Sequence, residues 1–127
     1  MGSELLTFQD IVARYRSGEN LFDITREKWV RIKKSLLSLE KMSDVGPIIE
    51  SARMGGAFCL EYQEKCVICP IEKWCKDPQG TYQTIVKLIY LYAASDQTGY
   101  REQALRLIDK FLKEMDECKE EFRRRLH

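Results

Sequence analysis

Apolar residues recur at steps of three and four along almost all of this 127-residue chain, and that period admits little besides packed helices. Thr7 opens a capping-box pattern with Asp10 three residues on; Phe8, Ile11, Val12 and Tyr15 share a face, and Gly18 supplies a stop. Asp23 or Thr25 caps a second helix with the seam Trp29, Ile32, Leu36 and Leu39. Asp44 caps a third, with Pro47 in its first turn, Val45, Ile48, Ile49 and Ala52 facing inward, and Gly55-Gly56 at its end. Asp77-Pro78 is a cap-then-proline start for a fourth. Its stripe of Tyr82, Ile85, Val86, Ile89 and Ala93, widened by Leu88, Leu91 and Tyr92, predicts a central helix touched on several sides. After the turn Ser95–Gly99, a last helix runs from about Tyr100 with Ala104, Ile108, Phe111, Met115, Cys118 and Phe122 on one face. At 1.5 Å per residue it is roughly 40 Å long. The fold class read from this pattern is all-α: about five helices forming one domain over residues 1–127, with a Cys-rich loop between helices three and four.

Composition narrows the function. Lys and Arg number 21 against 20 Asp and Glu, so no global charge drives the chain toward nucleic acid or lipid. No apolar run is long enough to span a bilayer, and the first residues lack the features of a signal peptide, so a cytoplasmic protein is expected. The single histidine is His127, which leaves no imidazole base or ligand within the predicted bundle. With no phosphate-cradling glycine loop and no nucleophile elbow, an enzyme is the class with the least support.

The break in the helical period holds four of the five cysteines. Cys59, Cys66, Cys69 and Cys75 follow C-x6-C-x2-C-x5-C, a spacing that brings four thiolates around one soft metal centre. In a reducing compartment such a group is a metal site more often than a pair of disulfides. Structural zinc ordinarily takes two short knuckles, whereas here only Cys66 and Cys69 form one, and Cys59 and Cys75 arrive on longer arms. A [4Fe–4S] cube, with a thiolate at each corner, accepts such arms. The cube is therefore the expected cofactor and zinc the alternative, with Pro70 stiffening the loop.

The spacing, the Cys69-Pro70 pair and the small residues Gly55-Gly56-Ala57 before the first cysteine resemble the iron–sulfur loop of the endonuclease III and adenine DNA glycosylase superfamily. The resemblance implies Cys59, Cys66, Cys69 and Cys75 as the four ligands of a [4Fe–4S] cluster. It covers about a fifth of the chain. The glycosylase catalytic part has no counterpart: Asp44-Val45-Gly46-Pro47 is the nearest stretch to its glycine-paired hairpin turn. The shorter C-x2-C-P-x4-C is also similar to iron–sulfur nucleases of the RecB-like group, but their strand-borne Asp and Glu-x-Lys are missing.

Outside the loop, Lys28, Arg31, Lys33, Lys34 and Lys41 load the second helix with positive charge. They are the candidate contacts should the protein bind nucleic acid, against the alternative of a solvated face. The long last helix is the candidate surface for a protein partner. The expectation is a small non-enzymatic [4Fe–4S] protein whose cluster staples a helical bundle, serving as a nucleic-acid-associated or complex-subunit module. The alternatives are a zinc-stabilised interaction domain and a redox or electron-transfer protein.

Overall fold

The computed structural model describes residues 5–54, 56–62 and 80–126, and among these the chain forms helices and short connections without a strand. Helix α1 (Phe8–Arg16) begins with the expected capping box. The Thr7 hydroxyl accepts from the Asp10 amide at 3.1 Å, and the Thr7 amide donates to the Asp10 carboxylate at 3.0 Å. Those hydrogen bonds hold the Asp10 carboxyl below the usual carboxylate range. Gly18 ends the helix at φ +87°, where its amide and that of Glu19 return to the Tyr15 and Arg14 carbonyls.

Helix α2 (Leu21–Leu37) starts earlier than its acidic and hydroxyl residues predict. Asn20 is the cap, its side-chain oxygen accepting from the Phe22 and Asp23 amides at 2.8 and 3.4 Å. The two residues expected there are otherwise engaged. Asp23 pairs with Lys119 at 2.6 Å, and the Thr25 hydroxyl donates back to the Leu21 carbonyl at 2.9 Å. A 3-10 turn (Met42–Asp44) leads into α3 (Val45–Arg53); Asp44 occupies the cap position without a side-chain cap hydrogen bond.

The chain then makes a short helix that the sequence reading placed in the loop: α4 (Ala57–Tyr62), which carries Cys59. Helix α5 (Thr81–Ser95) is capped by Gly80 in place of the expected Asp77-Pro78, which lies outside the described residues. Left-handed Asp96 (φ 57°) closes α5, and α6 (Thr98–Leu126) follows at once, two residues earlier than expected. Its 29 residues make it about 43 Å long.

The centre of the bundle is α2, not the fourth predicted helix. It meets α1, α3, α4 and α6, whereas α5 packs on α3 and α6 and leaves Tyr90 and Leu91 exposed. The reason is the spread of buried positions. On α2 they fall at 22, 24, 25, 28, 29, 32 and 36, which covers well over one face, while α5 buries a single stripe. Helix α6 lies antiparallel along α2 in a constant register. Asp23–Lys119, Arg26–Asp116 and Lys33–Asp109 each step up one helix as they step down the other.

Between these helices Trp29 stacks on Tyr82 with ring centres 5.2 Å apart and planes at 14°, and Phe111 meets both rings at 5.6 and 5.0 Å. Most of the core gathers around this group, and a smaller cluster of Leu6, Ile11, Ile24 and Ala57 lies under α1.

Phe111→Ala removes the fully buried ring that touches both partners of the stack. It is expected to cost about 3–5 kcal/mol in urea denaturation. Asn20→Ala is expected to cost about 1 kcal/mol in the same measurement, since two amides at the start of α2 lose their acceptor.

Candidate metal centre

Of the four candidate ligands, Cys66, Cys69 and Cys75 lie outside the described residues; Cys59 lies within them, as an exposed free thiol on α4. Its outward position follows from its neighbours. Ala57 and Phe58 are buried, Phe58 meeting Phe22 edge-on at 4.9 Å and stacking on Tyr62 at 6.4 Å, so the next residue along so short a helix turns away from the core. Glu61, two residues further on, accepts from the Tyr15 hydroxyl at 2.6 Å and ties α4 to α1. Chain description resumes at Gly80, whose carbonyl accepts from the Thr84 amide and hydroxyl, and Tyr82 then enters the stack on Trp29. Both flanks of the cysteine segment are thus fastened by aromatic packing in the main core. Among the described residues no three Cys, His, Asp or Glu side chains converge, as expected when only one of the four cysteines is included.

Beside Cys59 is a cavity of about 370 Å³, bounded among others by Thr25, Lys28, Trp29, Arg53 and Tyr82. Its described lining holds two cationic side chains and no carboxylate. Lys28 is only 5% exposed; its ammonium donates to the Met54 carbonyl at 2.6 Å and lies 5.4 Å from the centre of the Trp29 ring. Trp29, 1% exposed, keeps its indole Nε1 buried with no hydrogen-bond partner among the described residues. An unspent buried donor is costly among apolar groups, and it suits an anionic neighbour. A cube held by four thiolates is such a neighbour. By its donor chemistry the cavity wall fits the expected group.

The five cations considered for nucleic acid fall into separate environments. Lys28 is buried against α3's end, Arg31 pairs with Glu27 at 2.7 Å, and Lys33 pairs across to Asp109 at 2.6 Å on α6. Lys34 and Lys41 are exposed. Arg31 also helps hold the Glu27 carboxyl below the usual carboxylate range. At the far end of α6, Arg123 and Arg125 pair with Glu120 and Glu121 of their own helix, and Phe122 meets Phe22 at 5.8 Å.

The burial of Lys28 is the feature that a charge-based reading of α2 misses. A signal was present: Ile24, Lys28, Ile32 and Leu36 form one ladder at steps of four, so the lysine occupies an inward position. Comparison with protein-family models, curated proteins and solved structures finds no match for the chain.

The Tyr15–Glu61 contact makes a pH signature. The phenol donates to a carboxylate, and ionising it would lose the bond and set two anions together, so its pKa lies above the ordinary 10.0. The stabilisation is present below the unfolded phenol's pKa and is lost as pH rises through the higher folded value. Glu61→Ala should bring one tyrosine's titration down, read as earlier phenolate absorbance in an alkaline titration; an unshifted curve would contradict the contact.

Proposed function

We propose that this protein is a small non-enzymatic [4Fe–4S] protein in which Cys59, Cys66, Cys69 and Cys75 hold a cluster that staples the segment between α4 and α5 onto the helical bundle. The observation that carries the reading is the C-x6-C-x2-C-x5-C spacing, four thiols within one short segment and one knuckle only. The anchoring of both flanks supports it. Phe58 and Tyr82 sit in one aromatic core, so a centre bound between them closes a short loop on an already fixed base. The buried, unpaired Trp29 indole N–H on the wall beside Cys59 supports an acceptor such as a thiolate centre.

When bound, the cluster supplies a rigid, redox-capable cross-link. The chain's own residues do the rest. Cys59 would offer its thiolate from α4, the stacked Phe58 and Tyr62 anchor that helix, and Thr84 secures the Gly80 carbonyl where α5 begins. Four thiolates fill the cluster's outer positions, which fits a structural or electron-transfer role within a larger complex better than substrate activation. The separate pairing of Arg31 and Lys33 gives nucleic-acid association through α2 less support than a cluster-stapled subunit.

Protein purified without oxygen is expected to be brown, with a broad visible absorption band and about four iron and about four sulfide per chain. Cys66→Ser should remove most of the iron and lower the midpoint of thermal unfolding. Zinc at one ion per chain with no visible band, or undiminished iron and stability in Cys66→Ser, would overturn the proposal.

A further inference from the structure

We infer that the groove between α2 and α6 is a face on which a second copy of this chain docks, with α2 of one copy lying over α6 of the other. The groove has a volume of about 640 Å³, and its described lining lies wholly on these two helices. The register between them orders it. Arg26–Asp116 and Lys33–Asp109 pair across the groove, and the same spacing sets Val30 opposite Leu112 and Leu37 opposite Leu105. Ionic rungs therefore alternate with apolar ones. Val30 and Leu112 form the floor, while Leu37, one heptad beyond Val30, is left 55% exposed. A lone exposed leucine is ordinary. What selects a partner here is the charge on either side of the apolar row.

The two walls differ in sign. On the α2 side the charged groups of the lining are Arg26, Lys33 and Lys34, all cations. On the α6 side they are Asp109, Asp116 and Glu117, with Lys113 the one exception among the described residues. Lys34, Lys113 and Glu117 make no ion pair among the described residues. A partner carrying one sign of charge would meet a wall of like charge on one side. A copy of the same chain, turned about a two-fold axis parallel to the helices, lays cationic wall over acidic wall on both sides. Levels along the helices are kept by that rotation, so Lys34 meets Asp109 of the second copy and Glu117 meets Arg26 of the second copy. Each of the two existing ion pairs gains a third member. Lys113 falls beside the Val30–Leu112 rung, where its aliphatic stem extends the apolar centre. The four helices then pack as a bundle. Over the 17 residues of α2 the paired helices present a face about 25 Å long and about 20 Å wide, the low end for a specific interface, so the dimer is a weak one.

The test is sedimentation velocity of the full-length protein in reducing buffer, from micromolar to millimolar concentration and at low and high salt, on wild type, Leu37→Glu, Lys34→Glu and Leu91→Glu. The expected result is a reversible equilibrium between one chain and two that salt weakens. Leu37→Glu and Lys34→Glu, both at exposed positions, should raise the dimer dissociation constant about tenfold or more, with helicity by circular dichroism unchanged. Leu91→Glu puts the same charge on the exposed face of α5 and should leave the constant as it is. Carbodiimide cross-linking of mixed isotope-labelled and unlabelled chains should join Lys34 to Asp109 between copies. A wild-type chain that stays monomeric throughout overturns the inference and leaves the groove to a different partner. A dimer that Leu91→Glu dissociates and Leu37→Glu does not overturns it as well. Should Leu37→Glu fail to fold, Lys34→Glu decides: weakened dimerisation supports the groove as the interface, and an unchanged constant overturns it.

Discussion

The stack of Tyr82 on Trp29, with Phe111 against both, is the contact on which the arrangement of the molecule depends. Each ring comes from a different helix, α2, α5 or α6, so the one group ties the three helices together inside the main core. Rings of this size contribute both apolar burial and a preferred orientation, so they fix angle as well as contact. Tyr82 lies in the first turn of α5, so the same stack determines where the chain re-enters the bundle after the cysteine segment. Phe58, between Phe22 and Tyr62, does the corresponding work at the departure point. The bundle thus sets the span that the chain between the two must close.

Charge has two different uses here. The three pairs between α2 and α6 are at the surface, where each contributes about 0–1 kcal/mol. Their value lies in register: a slip of one turn along either helix would break all three together. Lys28 is the opposite case, a cation taken out of water, with a carbonyl and an aromatic face among its neighbours. Burying an ammonium in that way is justified by something other than strength, since an apolar side chain of similar length would pack there at lower cost.

Much of the fold was legible because helical period is a local property. Thr7 and Asp10 gave the start of α1, Gly18 its end, and the α6 stripe from Ala104 to Met115 is buried throughout. What the sequence concealed depended on choices between near-equal local options. Asn20, Asp23 and Thr25 all have capping side chains, and only the distant Lys119 decides that Asp23 is spoken for. The width of the α5 stripe pointed to a central helix, yet Leu91 faces water, because α2 surrounds itself with four neighbours and leaves α5 at the side. In the candidate site, the cysteine spacing is plain, while the burial of Lys28 is hidden because lysines on a helix ordinarily face solvent. The residues between Tyr62 and Gly80 carry most of that spacing and stand outside the described structure.

The division of the core into two clusters has a bearing on how the molecule opens. Helix α1 touches only α2 and α4 among the elements with substantial contact, and it is held by a small patch of Leu6, Ile11, Ile24 and Ala57 with the Tyr15–Glu61 bond at its margin. It is a thin cooperative unit that borrows little from the large core, and such units exchange with partly unfolded states at free energies below that of global unfolding. When α1 swings free, the Trp29 stack is untouched, but α4 loses the partner covering Ala57 and Leu60, the residues flanking the stretch that bears Cys59. Helix α1 therefore governs how far water reaches the Ala57 side of α4, as a shutter hinged at Gly18.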